Sequence, residues 1–225
     1  MNRQIAGAVT CLLGLAALAA WAIAGPDENK LGPRALADRP TLALVTSLPI
    51  IFGENFGLNG AGSPALARLE QRYNVQPIGV ADAPSLKGQT LLLMAHARAQ
   101  PAAALVELDQ WVRDGGHVML LADPKLDWPS ERPLGDRLRP PPAFADTGLL
   151  RHWGLTLVGP KAGESGGQLT SDEHCQITGN GVVARCRIGR GSATIVADAD
   201  FINVESGDAD NLDLLIDELA LLESR

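Results

Sequence analysis

Asp123, Asp198 and Asp200 each stand at or just past the end of an apolar run. Three carboxylates gathered at one place are a donor set for a hard cation, which prefers several oxygen ligands. His96 closes another apolar run and is a candidate base. Ser47 closes the first run, where a nucleophile would need a base and oxyanion donors beside it. The surrounding residues argue against several chemistries. Ser47 is followed by Leu48-Pro49, so there is no GxSxG elbow. GENFGLNGAG, residues 53–62, fits neither GxGxxG nor GxxxxGK[ST] and has no lysine to reach a phosphate. Each candidate also has a plainer role: Asp123 before Pro124 can end a strand by accepting backbone hydrogen bonds, and a lone histidine at a rim is usually just solvated. With no complete set of nucleophile, base and oxyanion donors, the reading is of a protein that is not an enzyme, with neither cofactor nor metal expected.

The elements that must position these residues follow from hydrophobic patterning. TLALVTS (41–47), TLLLMA (90–95) and HVMLLA (117–122) are nearly continuous apolar runs, the pattern of strands covered on both faces. VQPIGV (75–80), LTLVGP (155–160) and SATIVADA (192–199) complete the set of strands. SPALARLEQRY has Ser63 as N-cap and Pro64 in the first turn. AAALVELDQWVRD ends at Gly115-Gly116, and FADTGLLRHWG and NLDLLIDELALLES are two further helices. Strands alternating with helices predict parallel βαβ units, hence an α/β fold, while the Gly-rich stretch from 167 to 191 predicts antiparallel strands.

In such sheets ligands bind beyond the carboxyl ends of the strands. The candidate rim therefore comprises Ser47, Glu54, His96, Arg98, Asp123, Asp127, Trp128, Asp136 and Arg137, with Asp198 and Asp200. Much of it lies in LADPKLDWPSERPLGDRLRPPPAF, residues 121–144, a charged loop stiffened by prolines. Loops of this length are usually functional or disordered. Trp128 is either a plug over the sheet end or a recognition residue, and Asp136 and Arg137 either pair within the loop or face a partner.

Residues 5–24, IAGAVTCLLGLAALAAWAIA, carry no charge and have the length of a bilayer span. Residues 1–25 are thus a transmembrane anchor or a signal segment, with Arg3 holding the start in the cytoplasm and the remainder exported. Residues 26–40 read as a tether and 41–225 as the folded domain. The formal net charge of -7, with no basic patch, excludes a nucleic-acid binder. Cys175 and Cys186 flank Asn180-Gly181 symmetrically. A hairpin turn there would set them opposite each other, predicting a disulfide in an oxidising compartment, with two reduced buried thiols as the alternative.

LLLMAHARAQPAAALVELDQWVRDGGHVMLLADP (91–124) and GRGSATIVADADFIN (189–203) together resemble the GldG-type "ABC-type uncharacterised transport system" domains. The resemblance implies a flavodoxin-like or glutamine-amidotransferase-like fold, a membrane tether and association with ABC transporter subunits, with no catalytic residues to carry over. Amidotransferase chemistry would need a cysteine on the turn after a strand, and the turn after HVMLLA carries Asp123-Pro124 instead. The combined expectation is a flavodoxin-like three-layer sandwich with a mostly parallel sheet, a C-terminal antiparallel hairpin and an N-terminal transmembrane helix. It would sit in the bacterial inner membrane with its domain in the periplasm, as a non-enzymatic accessory that binds a protein partner. The alternative is a metal- or carboxylate-assisted hydrolase using Asp123, Asp198 and His96.

Overall fold

Apolar runs without polar alternates become strands sealed on both faces, and this is what the computed structural model shows. It describes residues 30–53, 62–161, 166–172, 175–204 and 209–225. The strands begin with β1 (Thr41–Thr46), β2 (Asn74–Pro77), β3 (Leu91–Ala95) and β4 (His117–Leu121). They continue with β5 (Leu155–Val158), β6 (Gln168–Ser171), β7 (Cys175–Thr178), β8 (Val183–Ile188) and β9 (Gly191–Val196). Seven of them form one sheet in the order β2-β1-β3-β4-β9-β8-β7. Its first five strands are parallel, and β8 and β7 add to the edge as an antiparallel hairpin.

The helices are α1 (Pro64–Glu70), α2 (Ala83–Leu86), α3 (Ala102–Arg113), α4 (Leu149–His152) and α5 (Ala209–Glu223). Ser63 caps α1 by accepting from the Leu66 amide at 3.1 Å, and Asp82 caps α2 through Ser85. Alternate strand residues feed two cores. Ala43, Val45, Leu92, Met94, Val118 and Leu120 pack with Leu108 and Val112 of α3. Leu42, Leu44, Leu93 and Met119 point to the opposite face, where α5 lies over β4 and β9 with α1 beside it.

Two expectations change on folding. LTLVGP does not join the main sheet: β5 pairs antiparallel with β6 in a separate two-stranded sheet. Its burial alternates, with Leu155 buried and Thr156 and Val158 exposed, as in a strand with one face in water. The connection between β7 and β8 spans residues 179–182 and is longer than a two-residue turn, with Asn180 at φ 54°. The register is nevertheless centred on Asn180-Gly181, so Cys175 stands opposite Cys186 and the two are disulfide-bonded. A bridge closing so short a loop contributes about 3 kcal/mol. Reduction is expected to lower Tm by about 6 to 12 °C in differential scanning calorimetry, as is Cys175→Ser.

Gly32–Arg225 form one compact unit, so part of the expected tether is docked. The Arg34 amide donates to Gln71 O, the Asn74 amide to Pro40 O, and the Arg34 guanidinium pairs with Glu223 at 2.9 Å. This segment leads into the N-terminal end of β1, opposite the strand ends that carry the rim. Among the described residues no helix is long and apolar enough to cross a membrane. The span expected over residues 5–24 lies outside the described residues.

Candidate functional site at the strand ends

β3, β4 and β9 run in register, pairing Ala95 with Leu121 and Leu121 with Val196. The next positions along these strands therefore lie side by side: the His96 amide donates to Leu121 O and the Ala122 amide to Val196 O. One residue further, Asp123 is fully buried. Its Oδ1 accepts from the Lys125 amide at 2.8 Å and its Oδ2 from the Ala199 amide at 2.9 Å. Asp198 Oδ1 accepts from the Asp200 and Phe201 amides, and Asp200 Oδ2 accepts from the Asp127 amide at 2.8 Å. Asp200 Oδ1 is buried without a partner. One oxygen of each of these three carboxylates lies within 4.8 Å of the others.

Such crowding has electrostatic consequences. Burial pushes the Asp200 carboxyl up to about 6, with the charges of Asp123, Asp198 and Asp127 adding to it against the hydrogen bond from the Asp127 amide. Asp198 is raised as well, by burial and then by Asp123. A carboxyl whose folded pKa exceeds its unfolded value binds its proton first in the folded state. Its burden on stability is therefore felt above pH 6 and relieved as pH falls from 7 toward 4. Urea midpoints of the wild type minus those of Asp200→Asn should accordingly rise between pH 7 and pH 5. A flat difference would show that Asp200 titrates normally.

His96 has φ 47°, a left-handed backbone that is uncommon outside glycine. Its carbonyl accepts from Ser47 Oγ at 2.5 Å, and its buried ring donates from Nε2 to Pro141 O at 2.9 Å. Burial lowers the pKa of the imidazole below its usual value against the pull of Pro141 and Asp123, and Nδ1 is left with no partner. Ser47 thus bonds to the backbone of His96 and not to its ring.

The proline-rich loop is held down along its length. The Leu126 amide donates to Pro142 O, the Phe144 amide to Asp123 O, and Arg98 reaches the carbonyls of Arg137 and Arg139. Arg139 in turn bonds the carbonyl of Arg132. Asp136 accepts from the Leu138 amide and pairs with Arg132 at 3.7 Å, so it organises its own turn. Arg137 and the Asp127 side chain are exposed and Trp128 is half-buried. Glu54 lies outside the described residues.

A notch of about 160 Å³ opens at the end of β1, lined by Ser47, Leu48, Ile51 and Phe52 and faced across by Arg132 and Leu138 of the loop. It sits at the switch point, where the chain leaves β1 toward β2 on one side and β3 on the other. The chain is similar in fold to the mmIFT52 N-terminal domain. That likeness has a TM-score of 0.56 at 13% identity and covers 82% of this chain and 98% of that one. An exo-beta-1,4-mannosidase from Opitutaceae bacterium strain TAV5 matches with a TM-score of 0.42 at 16% identity, over 83% of this chain and 34% of its own. A beta-galactosidase from Bacillus circulans sp. alkalophilus matches with 0.44 at 14%, over 82% and 31%. The chain thus spans about a third of the length of these two glycosidases. No family model matches the sequence, and no curated protein matches it.

Patterning did not indicate a second cluster, where Asp109 of α3 accepts from Trp153 Nε1 at 2.8 Å and Arg113 Nε at 2.7 Å, with His152 at 3.3 Å. These bonds hold α4 and the residue after it against α3. The cleft beside them, about 410 Å³, is lined by Leu105, Val106, Thr147 and Leu149.

Proposed function

We propose that the folded unit is a non-enzymatic binding module, tethered to the bacterial inner membrane by residues 5–24 and facing the periplasm, that grips a protein partner at its strand-end rim. The observation that carries this reading is the notch at the end of β1. Sites for drug-sized ligands run from about 300 to 1,000 Å³. A notch of about 160 Å³ suits one apolar side chain of a partner better than a small-molecule substrate. Two of its lining residues are large exposed apolar side chains, Phe52 at 66% and Leu138 at 51%, and Leu134 of the same loop is 83% exposed. Because the loop is already held by its hydrogen bonds, little ordering entropy opposes binding.

The strand order β2-β1-β3-β4-β9 supports placing the unit among flavodoxin-like three-layer sandwiches. The disulfide supports an oxidising compartment. Association with ABC transporter subunits rests on the GldG-type resemblance of residues 91–124 and 189–203. A photo-crosslinking residue placed at Leu134 or Leu138 of the full chain in membranes should give one discrete adduct, and the same residue at Val158 none. Equal crosslinking from both faces would contradict the proposal.

The hydrolase reading draws on the close approach of Asp123, Asp198 and Asp200, with Asp200 Oδ1 unpaired. Under it, Mg²⁺ or Ca²⁺ would raise Tm in the wild type and not in Asp200→Asn. Identical melting with and without either ion would remove its metal-assisted form.

A further inference from the structure

At the end of the sheet opposite the rim, where β1, β3, β4 and β9 begin, folding collects cations that stand in separate segments and form no basic run in the sequence. The turn Gly189-Arg190-Gly191 is pressed onto the end of α3. A Cβ on Gly189 would lie 2.7 Å from Arg113 O, and one on Gly191 would meet the carbonyls of Gly116 and Val112, so only glycine fits at either place. Arg190 is thereby held beside Arg113, its amide donating to Arg113 O at 3.0 Å. Register carries the group across the sheet: Arg187 of β8 stands opposite Ser192 of β9, and Ser192 opposite His117 of β4. Burial and then the charge of Arg225 lower the pKa of His117, so Arg225 lies at the same end. Lys87 shares a groove wall with Asp114, which pairs with Arg190 at 3.4 Å.

The acids within this group are matched: Asp109 with Arg113, Asp114 with Arg190 and Glu223 with Arg34. Lys87, Arg187 and Arg225 are exposed and enter no ion pair among the described residues. The remaining acids at this end, Asp38 before β1, Glu70 at the end of α1 and Asp172 before β7, come from its margins. A chain whose formal net charge is -7 therefore gathers unmatched positive charge beneath β4, β9 and β8.

We propose that this end of the folded unit lies on anionic phospholipid headgroups, with Lys87, Arg187, Arg190 and Arg225 reaching phosphates and the rim turned away from the bilayer. The inference rests on the membrane-tether part of the reading above. Chain length is what favours a lipid surface as the occupant. The docked segment 32–40 enters the sheet at this end, and the chain between Ala24 and Gly32 spans no more than about 30 Å even when fully extended. Attraction between headgroups and cations fades over about 10 Å at 0.1 M salt, so it acts only where a tether already brings the two surfaces together. The long stems of lysine and arginine extend that reach.

The test is phenylglyoxal footprinting of arginines in the full chain, held in nanodiscs of phosphatidylcholine alone or mixed with phosphatidylglycerol and read by mass spectrometry. On discs containing phosphatidylglycerol, Arg187 and Arg190 should react about fivefold more slowly than on neutral discs, and the difference should vanish in about 1 M NaCl. Arg137, exposed at the rim, should react equally on both. Lys87→Gln with Arg225→Gln, both at exposed positions, should shrink the protection of Arg187 and Arg190. Equal reactivity on the two discs overturns the inference while the anchor stands. So does the same protection from free glycerol phosphate on neutral discs, or protection of Arg137 in place of Arg187. A chain that co-purifies with neither disc overturns the anchor and the inference together.

Discussion

Arg185→Met is expected to destabilise the folded unit by about 3–5 kcal/mol, read as a lower urea midpoint at unchanged m-value. Arg185 of β8 meets Glu218 of α5 through Nε at 3.0 Å and through a second, parallel bond from its terminal nitrogen. Its remaining nitrogen donates to Thr178 Oγ1 at 3.0 Å. The Glu218 side chain is only 7% exposed, so removing the guanidinium strands a carboxylate in an apolar setting. The methionine keeps most of the stem's packing, so the loss reports the charge. The double replacement Arg185→Met with Glu218→Leu should recover most of the stability, since an apolar pair avoids the desolvation cost of both ions. If the double variant is as unstable as the single one, the loss comes from packing.

The second large effect is expected at Asp123. Asp123→Ala leaves the Lys125 and Ala199 amides without their acceptor, and an unsatisfied amide costs about 1–3 kcal/mol. Against this, removing one of three crowded carboxylates relieves repulsion. The two effects separate with pH. At pH 5 Asp200, with its pKa near 6, is mostly protonated and less repulsion remains to relieve, so the substitution should cost about 2–6 kcal/mol. At pH 7 the cost should be smaller. A variant more stable than wild type at both pH values would mean that Asp123 is held at a cost to the fold for another purpose, as ligand-binding groups often are.

The parallel core was legible because β1, β3 and β4 are short apolar runs and because Ser63-Pro64 marks the start of α1. The cysteine register was legible too, since the residues between Cys175 and Cys186 are symmetric about Asn180-Gly181 and a strand pairing carries that symmetry. The separation of β5 and β6 was not. Leu155 and Leu157 look alike in sequence, and only the neighbour they find decides which sheet they join. Patterning does not mark Arg185 or Glu218 as a pair, yet Glu218 sits on the turn of α5 beside Leu215 and Leu219 and is carried inward with them. At the rim, sequence placed Ser47, His96, Asp123, Asp198 and Asp200 at strand ends. It did not show that backbone amides occupy both oxygens of Asp123, or that Ser47 bonds to the carbonyl of His96 and not to its ring. Those bonds join residues up to 76 apart, and no local pattern records them.

Hydrogen exchange of the loop amides in the full chain measures most directly whether the rim is presented ready-made. The Leu126 and Phe144 amides, bonded to the Pro142 and Asp123 backbone carbonyls, and the Asp127 amide, bonded to the Asp200 carboxylate, should exchange slowly in the free protein, while in Asp123→Ala the Lys125 and Ala199 amides that lose their acceptor exchange faster. Exchange across residues 125–144 of the wild type at the rate of an unstructured chain would contradict a preformed rim.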